Sequence, residues 1–303
     1  MRLKKMMKGA IVIMLLQIML TACTLTEERT YRIIDIEIYK NTPVWELARA
    51  VKRQDVKKIA RIAQETPELL DYKDPMYGST LLYWSVGMEK YKAAEALLKG
   101  GADPDIISVY EGGTALYRAA SYSLIDSQAK KDPKYVKLLL EYGADPNIGY
   151  IGNGRSDINE IGTTPLMQSI GCGIKKTKAL VEAGADINHQ VEGGNSATLS
   201  ALRWGGPNAT IEAMEYAHYL IVEKEADVTK PWAVASGEER QPVVLLRNWI
   251  YEIGSERHQL KMEIVEACAR QGEDYWVTEV PQRALESIKK GFPDTWEEYI
   301  KVY

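Results

Sequence analysis

Through the middle of the chain, apolar positions fall three and four residues apart, the spacing of one helix face, and each such block runs into the same ending. The ending reads Leu97-Leu98-Lys99-Gly100-Gly101-Ala102-Asp103, then Leu139-Leu140-Glu141-Tyr142-Gly143-Ala144-Asp145, then Leu180-Val181-Glu182-Ala183-Gly184-Ala185-Asp186. A worn fourth copy is Ile221-Val222-Glu223-Lys224-Glu225-Ala226-Asp227, where Glu225 stands in place of the glycine. Each copy is a helix stop: two apolar residues bury the helix, glycine takes the left-handed turn, and Asp opens a polar turn. Four stops of one design, roughly forty residues apart, define a repeat protein.

Ahead of the array, Ile34, Ile36 and Ile38 alternate with Asp35 and Glu37, a pattern that predicts a short strand. From Asn41 the period turns helical. Thr42-Pro43 fits a helix start, Leu47, Ala50 and Val51 form one apolar stripe, and Val56, Ile59 and Ile62 form the next. Later units open on Gly78-Ser79-Thr80-Leu81-Leu82, Gly112-Gly113-Thr114-Ala115-Leu116, Gly162-Thr163-Thr164-Pro165-Leu166 and a degraded Gly194-Asn195-Ser196-Ala197-Thr198. Glycine permits a tight turn, Thr or Ser caps the helix, and an apolar residue anchors it.

These starts and stops together resemble the ankyrin repeat, over residues 41–272. The resemblance implies an all-α solenoid of about six helix pairs with β-turn fingers. The family's usual His after the Leu is replaced here by Tyr83, Tyr117, Met167 and Leu199, and only Pro165 keeps the Thr-Pro pair. From capping residue to the Ala of the stop there are 22 positions for Thr80 to Ala102, 30 for Thr114 to Ala144, 21 for Thr164 to Ala185 and 30 for Ser196 to Ala226. The surplus lies between inner and outer helix, at residues 121–133 and 203–210, and a further insertion at 149–158 lengthens a finger. Such insertions map to loops and often to a binding face. A sixth helix pair is expected at 242–253 and 259–271. A C-terminal cap over 273–303 follows, with a helix at 281–290 closed by Gly291 and a tail at 292–296 folded as a lid.

The first residues have a different character. Arg2, Lys4, Lys5 and Lys8 precede an apolar run over 10–20, too short for a permanent span and typical of a secretory signal. The run ends in Leu20-Thr21-Ala22-Cys23, which resembles the lipobox of bacterial lipoproteins. That resemblance implies cleavage after residue 22, a lipid on Cys23 and a tether over 23–40. Thr24, which is not Asp, resembles outer-membrane delivery and implies the periplasmic face. Removing four basic residues leaves 38 − 4 = 34 Lys and Arg against 42 Asp and Glu, a net charge of −8. An acidic chain is a poor partner for nucleic acid.

Nothing in the pattern predicts chemistry. His189, His218 and His258 fall in different repeats, and repeats touch only their neighbours, so no metal site or triad is expected. Cys172 is expected at an exposed inner-helix end and Cys268 at a buried outer-helix position, too far apart for a disulfide. The glycines at 149–154 lack the strand–glycine–helix order and the Gly-Lys-Ser/Thr of a phosphate loop. We expect a non-enzyme without cofactor, and a monomer.

In ankyrin proteins the partner meets the fingers and the concave inner-helix face. By position this offers Met76, Tyr77 and Met88, then Tyr110, Glu111 and Tyr122, then Glu160 and Ile161, then Arg203 and Trp204. Tyr, Met, Arg and Trp on one face resemble a hot-spot surface. The implied function is a protein-binding module anchored in the envelope. Lipid-anchored ankyrin proteins of similar build stand beside toxins injected into the periplasm, notably phospholipase effectors, which implies an immunity protein. The alternatives are a periplasmic scaffold for an envelope enzyme such as a catalase, and a structural envelope protein.

Overall fold

A computed structural model describes residues 31–152, 160–206, 209–234 and 237–303. Residues 1–30, with Cys23 and the expected signal segment, lie outside the described residues, as do most of the 149–158 insertion and part of 203–210.

Among the described residues, six helix pairs stack in chain order. They are α1 (Trp45–Arg53) with α2 (Val56–Glu65), α3 (Leu81–Gly87) with α4 (Tyr91–Lys99), and α5 (Ala115–Ala120) with α6 (Lys134–Glu141). Next come α7 (Pro165–Ser169) with α8 (Ile174–Glu182), then α9 (Ala197–Trp204) with α10 (Ile211–His218), which continues as a π turn (Tyr219–Glu223). The sixth pair is a 3-10 turn (Pro242–Asn248) with α11 (Glu256–Arg270). Inner helices pack on inner helices and outer on outer, so one apolar core runs from Ile36 to Tyr275.

The inner helices begin where their caps predict. Side-chain oxygens of Thr80, Thr114, Thr164 and Ser196 accept from the backbone N–H groups of Tyr83, Tyr117, Met167 and Leu199. The outer helices end in the predicted left-handed turns, at Gly101, Gly143 and Gly184, and Ala102, Ala144 and Ala185 donate back to Leu97, Leu139 and Leu180. In the worn copy Glu225 itself takes a φ of 52°, and Ala226 donates to Leu220, one residue further back than in the other stops. The π turn absorbs that extra residue.

Four expectations are corrected. Residues 34–38 form no strand; Ile36–Tyr39 is a 3-10 turn that buries Ile36, Ile38 and Tyr39 against α1. With no neighbouring strand to complete a ladder, the segment closes on itself, and Thr42 Oγ1 donates to Tyr39 O. The helix expected over 242–253 stops at Asn248, because Trp249 turns inward against Gly205 and donates to Leu202 O at 2.9 Å. Gly291 does not close the cap helix α12 (Gln282–Gly291) with a left-handed turn; Phe292 follows it, and residues 296–302 form a further helix, α13 (Trp296–Val302). Stacked rings of Phe292, Tyr299 and Tyr303 hold that helix down. Lastly, Cys172 is buried, since residues 171–173 are covered by Trp204 on Gly171 and by Lys131 of the inserted loop on Gly173.

Candidate functional site

Inner helices run away from the finger edge and outer helices return to it, so stops and fingers share one edge of the solenoid. Side chains stitch that edge together. The backbone N–H groups of Asp103, Asp145, Asp186 and Asp227 donate to Asp71, Asp105, Asn147 and Asn188 of the preceding unit, at 2.9, 2.9, 2.7 and 2.9 Å. These acceptors satisfy N–H groups that the stops would otherwise leave without a partner. Burial raises the Asp105 carboxyl above its ordinary range, against the bond from Asp145.

The fingers are tied in turn. Asp74, buried in the first, accepts from the N–H groups of Met76, Tyr77 and Ser79. Tyr110 N donates to Tyr77 O at 2.9 Å, and Ile151 N to Gly112 O at 2.9 Å. Nε2 of His189 lies 2.9 Å from Gly162 O, and Gln190 Nε2 donates to Pro231 O. Gly78 takes a φ of 62°, and a Cβ there would fall 2.6 Å from Val109 Cγ2, so only glycine lets the first two fingers nest.

This nesting sets four apolar side chains in a row along the finger tips. Met76 is 53% exposed, Val109 62%, Ile151 54% and Ile161 69%. Isolated exposed apolar residues need no explanation, whereas four on three successive fingers that bond backbone to backbone make that edge a candidate interface. Met76 and Ile161 were expected from the sequence. Val109 and Ile151 were not, although both directly follow the first hydrogen-bonded residue of their finger, Ser108 and Tyr150.

Behind the row, on the inner-helix face, Glu160, Met167, Gln168, Asn195, Ser200 and Trp204 line a groove of about 230 Å3. Trp204 is half exposed, with one ring edge seated on Gly171. Arg203 donates to Asn195 Oδ1 at 3.2 Å and lies 5.6 Å from the Trp232 ring centroid; burial lowers its basicity, and Glu160 works against that. The structure therefore brings Glu160, Arg203 and Trp204 together.

The other predicted residues divide. Tyr77 and Tyr110 meet edge to face at 4.7 Å, and the Tyr77 hydroxyl donates to Tyr31 O. Glu111 lies 3.9 Å from Arg118. Met88 and Tyr122 sit at the far ends of α3 and α5, on the edge opposite the fingers; Met88 packs on the core and Tyr122 walls a separate cavity. Where the resemblance led to a histidine, Tyr83 and Tyr117 are buried, and the Tyr117 hydroxyl accepts from Gln168 at 2.8 Å.

His189, His218 and His258 stay apart, and His218 lies 2.7 Å from Glu263. Among the described residues no group of three or more His, Cys, Asp or Glu side chains is placed to hold a metal. Cys172 and Cys268 are free and buried, and burial pushes the Cys268 thiol up to about 12. Among the described residues no helix is long and apolar enough to cross a membrane.

Residues 111–149 match the family model of the ankyrin repeat. Among solved structures, the crystal structure of EF0377, an ankyrin repeat protein, is similar at 21% identity, covering 76% of this chain and 99% of that one, with a TM-score of 0.53. No curated protein matches the chain. The solenoid of stacked helix pairs is thus an ankyrin-repeat fold, and domains of this fold are in general protein-binding modules.

Proposed function

We propose that this ankyrin-repeat chain captures one protein partner on its finger edge, with the apolar row as the anchor and the Trp204 groove as the polar flank. The observation that carries the proposal is the row itself: Met76, Val109, Ile151 and Ile161 are exposed on fingers already fixed by backbone hydrogen bonds. A preorganised edge loses little freedom on binding, so its apolar area converts more fully into affinity. Held by a lipid on Cys23 at the periplasmic face, the module would meet an injected toxin before the toxin reaches its substrate. An immunity role against an envelope-attacking enzyme such as a phospholipase fits an acidic, anchored, rigid trap.

The test is co-expression in the periplasm with the secreted product of the neighbouring gene. The wild-type chain should restore growth, and the triple variant Met76→Asp, Val109→Asp, Ile161→Asp should lose at least a hundredfold of that rescue while still folding. Killing undiminished by the wild-type chain would end the immunity role. Full rescue by the triple variant would end the assignment of the face.

A further inference from the structure

On the edge opposite the fingers, the inserted loop at 121–133 arches over a cavity of about 280 Å3. The loop is a fitted roof. Its Leu124 side chain lies where a Cβ on Gly87 would fall at 2.8 Å, and the Lys131 backbone lies equally close to the Cβ position of Gly173. Ser123 donates to Glu89 at 2.8 Å, and Lys131 pairs with Glu212 of α10 at 2.6 Å. Glycines and ion pairs on both neighbouring units thus fix the loop in place.

Inside lies a buried cation. Lys176 of α8 is 3% exposed, and its ammonium donates to Ala119 O at 2.8 Å and Ser121 O at 3.4 Å, the carbonyls at the end of α5. An ammonium has three donors, and these two bonds leave one. Among the described residues no carboxylate forms an ion pair with Lys176; the two acidic groups in the lining are engaged elsewhere, Glu89 with Ser123 and Lys130 and Asp132 with Lys134. Burial lowers the basicity of Lys176, helped by Arg118 and opposed only in part by Asp132 and Glu89. The wall also holds Arg118, which lies 3.9 Å from Glu111, and the apolar and aromatic surface of Tyr122, Leu124 and Tyr135, with Lys130, Lys131, Asp132 and Lys134 around it.

We propose that this cavity binds a carboxylate carried on a short apolar stem, with the head on Lys176 and Arg118 and the stem against Tyr122, Leu124 and Tyr135. Such a carboxylate would supply a counter-charge in direct contact with the ammonium and the acceptor for the third proton. Its source is either a free small acid or an acidic side chain of a protein, and the site is separate from the finger edge.

Isothermal titration of the full chain tests this, using phenylacetate, its uncharged isostere 2-phenylacetamide, and an acetylated, amidated Gly-Phe-Asp-Gly peptide. The acid or the peptide should bind at least tenfold more tightly than the amide. Lys176→Met should weaken binding at least tenfold. Leu124→Trp, which fills the cavity and leaves Lys176 in place, should do the same and covers the case in which the lysine variant fails to fold. Binding of phenylacetate supports a free acid, and binding of the peptide alone supports a protein carboxylate. Equal binding of the amide, unchanged binding in either folded variant, or no binding of acid and peptide overturns the proposal.

Discussion

The two edges of this solenoid are built from the same repeats and differ in what holds them. On the finger edge, each unit bonds to the next through backbone groups and short Asp or Asn side chains, from Asp71 to Asn188. On the loop edge, side chains bond to side chains: Lys130 to Asp126, Lys131 to Glu212, Ser123 to Glu89. Short acceptors bonded to backbone lose little rotamer freedom, whereas exposed lysine pairs must order two flexible stems for a small gain. The first edge is suited to present apolar side chains without rearranging. The second roofs a cavity whose buried lysine makes no ion pair with a carboxylate among the described residues.

The largest expected effect that separates the edges is at Asp74. Its buried carboxylate accepts three backbone N–H groups, so Asp74→Ala should cost about 3 kcal/mol in urea unfolding, because one buried and two partly buried donors lose their partner. A cost no larger than that of an exposed substitution would show that the fingers are not held as described.

A second buried lysine sharpens the contrast. Lys261 of α11 donates to Trp249 O and to the Tyr275 hydroxyl, and is sealed by the rings of Tyr275 and Tyr303 at 4.9 and 4.1 Å. The ring faces favour the cation, but burial dominates and Arg247 adds repulsion, so Lys261 is pushed down to about 6. Between that value and its ordinary 10.5 the unfolded chain binds more protons than the folded one, so stability climbs with pH across that window. This group should add about 2 kcal/mol between pH 6.5 and 8.5. Lys261→Met should flatten that rise in urea titrations, and an unaltered slope would refute the assignment. Lys176 moves in the same direction, yet it lines a cavity, where a ligand can reach it.

The smallest effect lies at the worn stop. Glu225 holds a left-handed backbone that glycine adopts without strain, so Glu225→Gly should raise stability by about 1 kcal/mol by differential scanning calorimetry. No gain would mean that the π turn had already relieved the strain.

What could be read in the sequence follows the same division. Caps at Thr80, Thr114, Thr164 and Ser196 and stops at Gly101, Gly143 and Gly184 are local chemistry, set by one side chain and its own backbone, and they fall as expected. The failures are tertiary. Trp249 ends the sixth inner helix because it finds Gly205 and Leu202 of the preceding unit, contacts that no periodicity encodes. The Ile34–Ile36–Ile38 alternation met no strand to pair with, and closed as a tight turn. Val109 and Ile151 carry no signal in the sequence because finger residues follow no helical period; their register emerges only when hydrogen bonds align Asp74, Ser108 and Tyr150. The cavity was visible only as surplus length at 121–133.

The central claim is that the finger edge captures the protein partner through its exposed apolar residues. Two exposed apolar residues test it in a single experiment, Val109 on the finger edge and Val56 at the start of α2 on the other. A photo-crosslinking amino acid is placed at each in turn, in the full chain within its own cells. The account predicts a discrete protein adduct from position 109 and none from 56. An adduct of equal yield from both, or from 56 alone, would contradict it.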